Sequence, residues 1–364
     1  MAIRMTPYVF NVDIVGTCNL RCPSCPIGNT NSHMLPGGAM SIDKLDSIVK
    51  KAKRELGYVS FHLYNWTEPF IHPQIGEAID AVMRNGVACH LSTNLNLDKH
   101  LAEVAEAAPT SIRVSTSGFT QEIYSQTHKE GNIEKVKINM EKLSNLVKKN
   151  GGTTELNLLF HRYLGNHGDE AQMRSFAEQL GYNFETVWAY LMPLEKNIAF
   201  AEKGLNAPSL SESDITLIGK LALPLGEAIE VAKAKRTKDC TLRSQQYALD
   251  SEGNVSLCCA VYDSNERIVG NYLNDPHEVL RAKKYDNPIC GTCMSHGLHV
   301  LATYGAPKEF DELAMNNVFQ YYPSAALSAS RPTERRKLTG KIIRTVKRYF
   351  RAINRAKRLR EGVK

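Results

Sequence analysis

The sequence has no run of apolar residues long enough to span a bilayer. Its first residues, Met1-Ala2-Ile3-Arg4-Met5-Thr6-Pro7, lack the apolar core of an export signal. It also lacks a phosphate-cradling glycine-rich loop, a hydrolase motif and an internal repeat. Nine cysteines are an odd number, which argues against a pure disulfide framework. With no export signal, clustered thiols point to metal ligation in a reducing cytoplasm. Composition is that of an ordinary globular protein, with 43% hydrophobic and 23% charged residues. A length of 364 residues suggests two or three domains.

Charge is unevenly spread. From Arg331 to Lys364 there are fourteen Lys or Arg and two Glu, a net +12; the total of +7 leaves the rest of the chain at −5. Within this tail Leu338, Ile342, Val346, Tyr349, Phe350, Ile353, Ala356 and Leu359 recur mostly at steps of three and four. That spacing predicts a basic amphipathic helix. Such a helix suits an anionic membrane surface, an acidic partner, nucleic acid, or packing on the body.

Strand-like and helix-like segments alternate along the first half. Strands are expected at 8–15, 58–64, 87–93, 111–115, 155–160 and 184–189. Helices are expected at 42–56 (after an N-cap at Ser41), 74–84, 97–107, 133–149 and 171–180. Six βα alternations imply a parallel sheet, with ligands at the carboxyl ends of the strands. Residues 192–239 read as a helical connector, with helices at 211–222 and 226–234. Cysteine density rises again from Cys240.

Directly after the first strand comes Cys18-Asn19-Leu20-Arg21-Cys22-Pro23-Ser24-Cys25. Three thiolates on one loop can hold three corners of a cubic iron–sulfur cluster and leave the fourth iron open to a small molecule. Zinc and structural thiols are the alternatives; zinc loops usually add a second ligand pair. The C-x3-C-x2-C spacing resembles the signature of radical S-adenosylmethionine (SAM) enzymes. The resemblance implies a partial (β/α)6 barrel at 1–191 carrying a 4Fe-4S cluster at Cys18, Cys22 and Cys25. It further implies SAM bound to the open iron and a 5′-deoxyadenosyl radical that takes hydrogen from substrate. An external reductant such as flavodoxin or ferredoxin would supply the electron.

Other segments resemble the family's SAM-binding elements. Asn65-Trp66-Thr67-Glu68-Pro69 follows the second strand, with Trp66 and Thr67 where the family usually has glycine. Glu68 is the counterpart of a carboxylate that accepts from the SAM ammonium. Thr93 and Asn94 end the third strand, and Ser115 and Ser117 end the fourth; these would meet the ribose and carboxylate of SAM. Arg162, after the fifth strand, would pair with the SAM carboxylate or with substrate.

Cys240, Cys258, Cys290 and Cys293 make a second set, with Cys290 and Cys293 expected on a tight loop. Gly253-Asn254 suggests a type I′ hairpin turn between 247–249 and 255–257. The pattern resembles the twitch module, a shortened SPASM module. It implies a small α+β domain at 240–322 holding an auxiliary 4Fe-4S cluster, followed by the basic tail at 323–364. Structural zinc is the alternative. Cys259 is spare, either a hydrogen-atom donor, an alternative ligand or a small buried residue. Cys89 is expected in the core.

Three functions follow as expectations. One is oxidation or epimerisation of a sugar-type or aminocyclitol substrate, with Cys259 returning the hydrogen atom in an epimerase. Another is peptide or protein modification, against which the seven residues before the first strand argue. The third is a non-enzymatic zinc- or nucleic-acid-binding protein. A cytoplasmic enzyme, peripheral to the inner face of the membrane, is the expected location.

Overall fold

The structure is a computed structural model that describes residues 6–30, 34–262 and 267–322. The predicted basic tail helix lies outside the described residues. Among them, no helix is long and apolar enough to cross a membrane.

Six parallel strands lie in chain order: β1 (Tyr8–Val12), β2 (Val59–His62), β3 (Ala88–Thr93), β4 (Ser111–Thr116), β5 (Glu155–Arg162) and β6 (Asn183–Trp188). Each crossover carries a helix. Right-handed crossovers between sequential parallel strands place every helix on the same face. The other face is then free to become a barrel interior.

Side-chain alternation separates the two faces. In β4, Ile112, Val114 and Thr116 are fully buried, while Ser111, Arg113 and Ser115 are partly exposed. The pairing register carries this pattern across the sheet: His62 faces His90, His90 faces Ser111, and Ser92 faces Arg113, which in turn faces Asn157. The helix-side face is thus apolar and the inner face polar.

Helix boundaries follow local chemistry. The helix Ile42–Leu56 starts where Ser41 Oγ accepts from Lys44 N at 3.3 Å. Leu45, Ile48, Val49 and Ala52 form its buried stripe. The helix Ile133–Lys149 is capped in the same way by Asn132. The helix expected at 97–107 begins only at Leu101, because Leu95 adopts a left-handed φ of 53° and Asn96 is tied to Asn94. The connector holds a third helix, Leu194–Lys203, beside Glu212–Ile218 and Leu225–Ala234.

The sheet continues past β1. Strands β7 (Gln246–Leu249), β8 (Asn254–Ser256) and β9 (Ile268–Asn271) extend it to nine strands, with β7 parallel to β1 and the last two pairs antiparallel. An aromatic seam fastens this extension. Phe10 stacks on Phe61 (4.6 Å between ring centres) and on Tyr247 (5.2 Å), and meets Tyr272 edge-on (5.1 Å). Lys51 donates to the carbonyls of Tyr272 and Asp275, both at 2.6 Å.

Two local expectations are corrected. The β7–β8 turn is not type I′, which needs two left-handed residues. Only Gly253 has positive φ (83°), and Asp250 Oδ1 caps the turn through Glu252 N and Asn254 N. Cys290 and Cys293 sit on a helix, Pro288–Ser295, one turn apart on the same face, not on a tight loop. Pro288 at its first turn and Asn287 as its cap start that helix.

Candidate active site at the carboxyl ends of the strands

The cysteine loop leaves the carboxyl end of β1 and contacts the loops after the neighbouring strands. Asp13, just past β1, is the hub. Its Oδ1 accepts from Asn65 N (3.1 Å), Trp66 N (2.9 Å), Thr67 N (2.9 Å) and Thr67 Oγ1 (2.6 Å). Burial raises its pKa to about 6 against the pull of those bonds. Sequence reasoning missed Asp13. Its signal was a carboxylate inside the apolar run Phe10–Val15.

Glu68 is 2% exposed and caps a short 3₁₀ turn, Pro69–Ile71. Its Oε1 accepts from Phe70 N at 3.1 Å and its Oε2 from Asn94 N at 2.8 Å. Burial raises its pKa to about 7, and these bonds together with Thr93 pull it down. These three bonds leave one of the carboxylate's four acceptor sites for a cation. Glu68 N donates to Thr17 O at 3.2 Å, which ties it to the cysteine loop.

The remaining sequence candidates separate into groups. Asn94 Nδ2 lies 3.8 Å from Cys18 Sγ and donates to Asn19 Oδ1 at 3.0 Å, so it supports the cysteine loop. Thr93 Oγ1 accepts from Leu95 N at 2.9 Å. Ser115 lies on the inner face, 3.3 Å from Ser92 Oγ. Ser117 is wholly buried, bonded to the Thr127 hydroxyl and to His128 Nδ1 (2.7 Å). Arg162 donates twice to Glu170, at 2.6 and 2.7 Å, and lies over Trp188. That two-pronged pair commits two of its nitrogens to a carboxylate of the same chain.

Cys18, Cys22 and Cys25 are free thiols, all partly exposed. Cys25 also caps the short helix Pro26–Asn29, and its Sγ lies 3.8 Å from Trp66 O. Burial raises all three pKa values, to about 11 for Cys18 and about 12 for Cys25; the other two thiols push Cys22 up further. Thiols that destabilise one another's anions need a cation among them to ionise. The donor set therefore fits an iron–sulfur cluster.

The second set also comes together. Cys240, Cys258, Cys290 and Cys293 all line one small pocket, with Arg243, Met294 and His299. Lys284 is buried beside them. Its Nζ donates to Leu242 O (3.1 Å) and Gln246 O (2.5 Å), and burial lowers its pKa to about 8 while the cysteines pull it up. Among the described residues, no group of three or more His, Cys, Asp or Glu side chains is disposed to hold a single metal ion. Cys259 is partly exposed beside Cys258; burial raises the pKa of Tyr64 and Tyr190, and Cys259 adds to both shifts. Cys89 is fully buried in the core, as expected.

Residues 12–164 match the family model of the radical SAM superfamily. They form a radical SAM domain. The radical SAM family implies a 4Fe-4S cluster and SAM as the cofactors of such a domain. A curated relative, "Probable GTP 3′,8-cyclase" of Methanococcus maripaludis, is 30% identical over 136 residues; the match covers 36% of this chain and 44% of that protein. The chain thus spans less than half the length of that relative. Two solved structures share the fold. Native anSMEcpe with bound AdoMet has a TM-score of 0.50 at 17% identity, covering 77% of this chain and 82% of that one. Streptococcus suis SuiB bound to the precursor peptide SuiA has a TM-score of 0.55 at 12% identity, covering 79% and 67%.

Proposed function

We propose that this protein oxidises or epimerises a carbon of a small hydroxylated substrate of the sugar or aminocyclitol type, as a radical SAM enzyme with one auxiliary cluster. The observation that carries the auxiliary cluster is the single cavity lined by Cys240, Cys258, Cys290 and Cys293. Four thiols spread around a cavity suit a polynuclear cluster better than one zinc ion, whose sulfur ligands converge at about 2.3 Å. When bound, the cluster at Cys18, Cys22 and Cys25 together with SAM supplies a 5′-deoxyadenosyl radical for hydrogen abstraction.

The chain's own residues do the rest. Glu68 offers its remaining acceptor site to the SAM ammonium. Asp13 and Asn94 hold the cysteine loop against the loops after β2 and β3. The polar inner face gives a hydroxylated substrate hydrogen-bond partners. Cys259, whose charge is felt by Tyr64, would return a hydrogen atom in an epimerase. An external flavodoxin- or ferredoxin-like donor supplies the electron. Modification of a peptide is the second reading, favoured by the shared fold with SuiB, which was solved with a precursor peptide.

The test is 5′-deoxyadenosine release from SAM by the anaerobically reconstituted protein with dithionite. The wild type releases it and Cys22→Ala does not; absence of release from the wild type refutes the reading. The basic tail is proposed to dock on an anionic surface. Deleting residues 331–364 then abolishes binding to anionic vesicles, and retained binding contradicts that.

A further inference from the structure

The inner face of the sheet carries a guanidinium with no counter-ion. Arg113, in the middle of β4, donates through Nη2 to Tyr64 OH (2.9 Å) and through Nε to Ser92 Oγ (3.3 Å). Its guanidinium carbon lies 5.0 Å from the centre of the Tyr64 ring. All these partners are neutral, and among the described residues no carboxylate pairs with it. Of the carboxylates on the same face, Glu155 in β5 accepts from Asn183 at 2.9 Å, and Glu185 lies on the outermost parallel strand, β6.

Around Arg113 stand imidazoles, not anions. His62 and His90 meet edge-on at 4.9 Å, and Tyr64 OH lies 3.3 Å from His62 Nδ1. Burial and the Arg113 charge lower the pKa of His90, and lower that of His161 to about 4; His62, depressed to about 3 by burial, also feels His90 and Arg113. At neutral pH the Arg113 charge therefore stands beside neutral hydrogen-bonding groups. A partly desolvated charge without a partner is costly. It is retained where a ligand supplies the partner. A guanidinium has five donors, and Tyr64 and Ser92 take only two of them.

We propose that Arg113, held by Tyr64 and Ser92, is a binding site in the barrel interior for an oxyanion of the substrate, a carboxylate or a phosphate. This rests on the reading of the inner face as the substrate side. It narrows the substrate from a hydroxylated molecule to an acidic one, such as a sugar acid or a sugar phosphate.

The experiment titrates inorganic phosphate into the cluster-reconstituted protein without SAM. Binding is followed by calorimetry and by the imidazole NMR signals of His62 and His90. The wild type binds with a Kd on the order of a millimolar and those signals move. Arg113→Gln binds at least about tenfold more weakly, and its imidazole signals stay put. Arg113→Lys keeps the charge but loses the fork, and falls between the two; it decides the matter if Arg113→Gln does not fold. Equal affinity in wild type and Arg113→Gln overturns the proposal, as does an unmoved imidazole pair in the wild type. Displacement of phosphate by SAM also overturns it, because the charge then serves the cofactor. Phosphate binding is read without turnover, so failure to release 5′-deoxyadenosine sinks the radical reading and leaves this result standing.

Discussion

Removing the Asp13 carboxylate should loosen the whole cysteine loop. In Asp13→Ala four donors lose their acceptor: the backbone N–H groups of Asn65, Trp66 and Thr67, and the Thr67 hydroxyl. Asn65 and Trp66 are half-buried and can regain water. Thr67 is 8% exposed, so its two donors stay unsatisfied. At 1–3 kcal/mol for each of these two buried orphans, the loss is about 2–6 kcal/mol. That is a large share of the roughly 5–15 kcal/mol that holds a domain together. Asp13→Asn keeps one acceptor oxygen and should lose about 1–2 kcal/mol. The assay is anaerobic urea unfolding of the reconstituted protein, followed by circular dichroism. With a slope of about 3 kcal/mol per M, the Asp13→Ala midpoint falls by roughly 0.7–2 M. A fall below about 0.3 M, or an Asp13→Asn variant no more stable than Asp13→Ala, refutes the reasoning.

Two further outcomes follow from the same geometry. His128 is buried, stacked on Tyr124 and bonded to Ser117, and its pKa is lowered from 6.5 to about 3, first by burial and then by His161. The folded state holds it neutral while the unfolded chain takes a proton below about 6.5, so stability falls as pH drops from there towards 3. At about 1.4 kcal/mol per pH unit, His128 alone accounts for about 2 kcal/mol between pH 7 and pH 5. Urea midpoints of the wild type and His128→Gln at both pH values check this; equal losses in the two proteins contradict it. Gly28 lies against the cysteine loop, where an added Cβ would stand 2.4 Å from Cys22 O and 2.5 Å from Cys22 N. Gly28→Ala must displace that backbone, so iron loading should fall by about four atoms per chain. Unchanged iron would show that the loop can yield.

The strand-and-helix rhythm of the first half was legible because each helix has an apolar stripe and each strand either alternates or is short and apolar. Ser41 marked a helix start by its side-chain chemistry alone. The type I′ turn failed because Asp250 caps the loop from its own side chain, leaving only Gly253 in the left-handed region. The continuity of β7 with β1 was invisible, since it depends on Phe10 meeting Tyr247 across more than two hundred residues of chain. The cysteine sets were legible from spacing. Arg162 was not, because its partner Glu170 lies on a helix whose register only the fold reveals. Arg113 carried a signal that was passed over: a charged residue at a strand position whose neighbours, Ile112 and Val114, are both core.

The central claim is that two separate sets of cysteines each hold an iron–sulfur cluster. Iron, sulfide and zinc per chain after anaerobic reconstitution test it most directly. The account predicts about eight iron, a matching amount of sulfide and no zinc. About four iron with one zinc would contradict the auxiliary cluster, and zinc without iron would contradict the account as a whole.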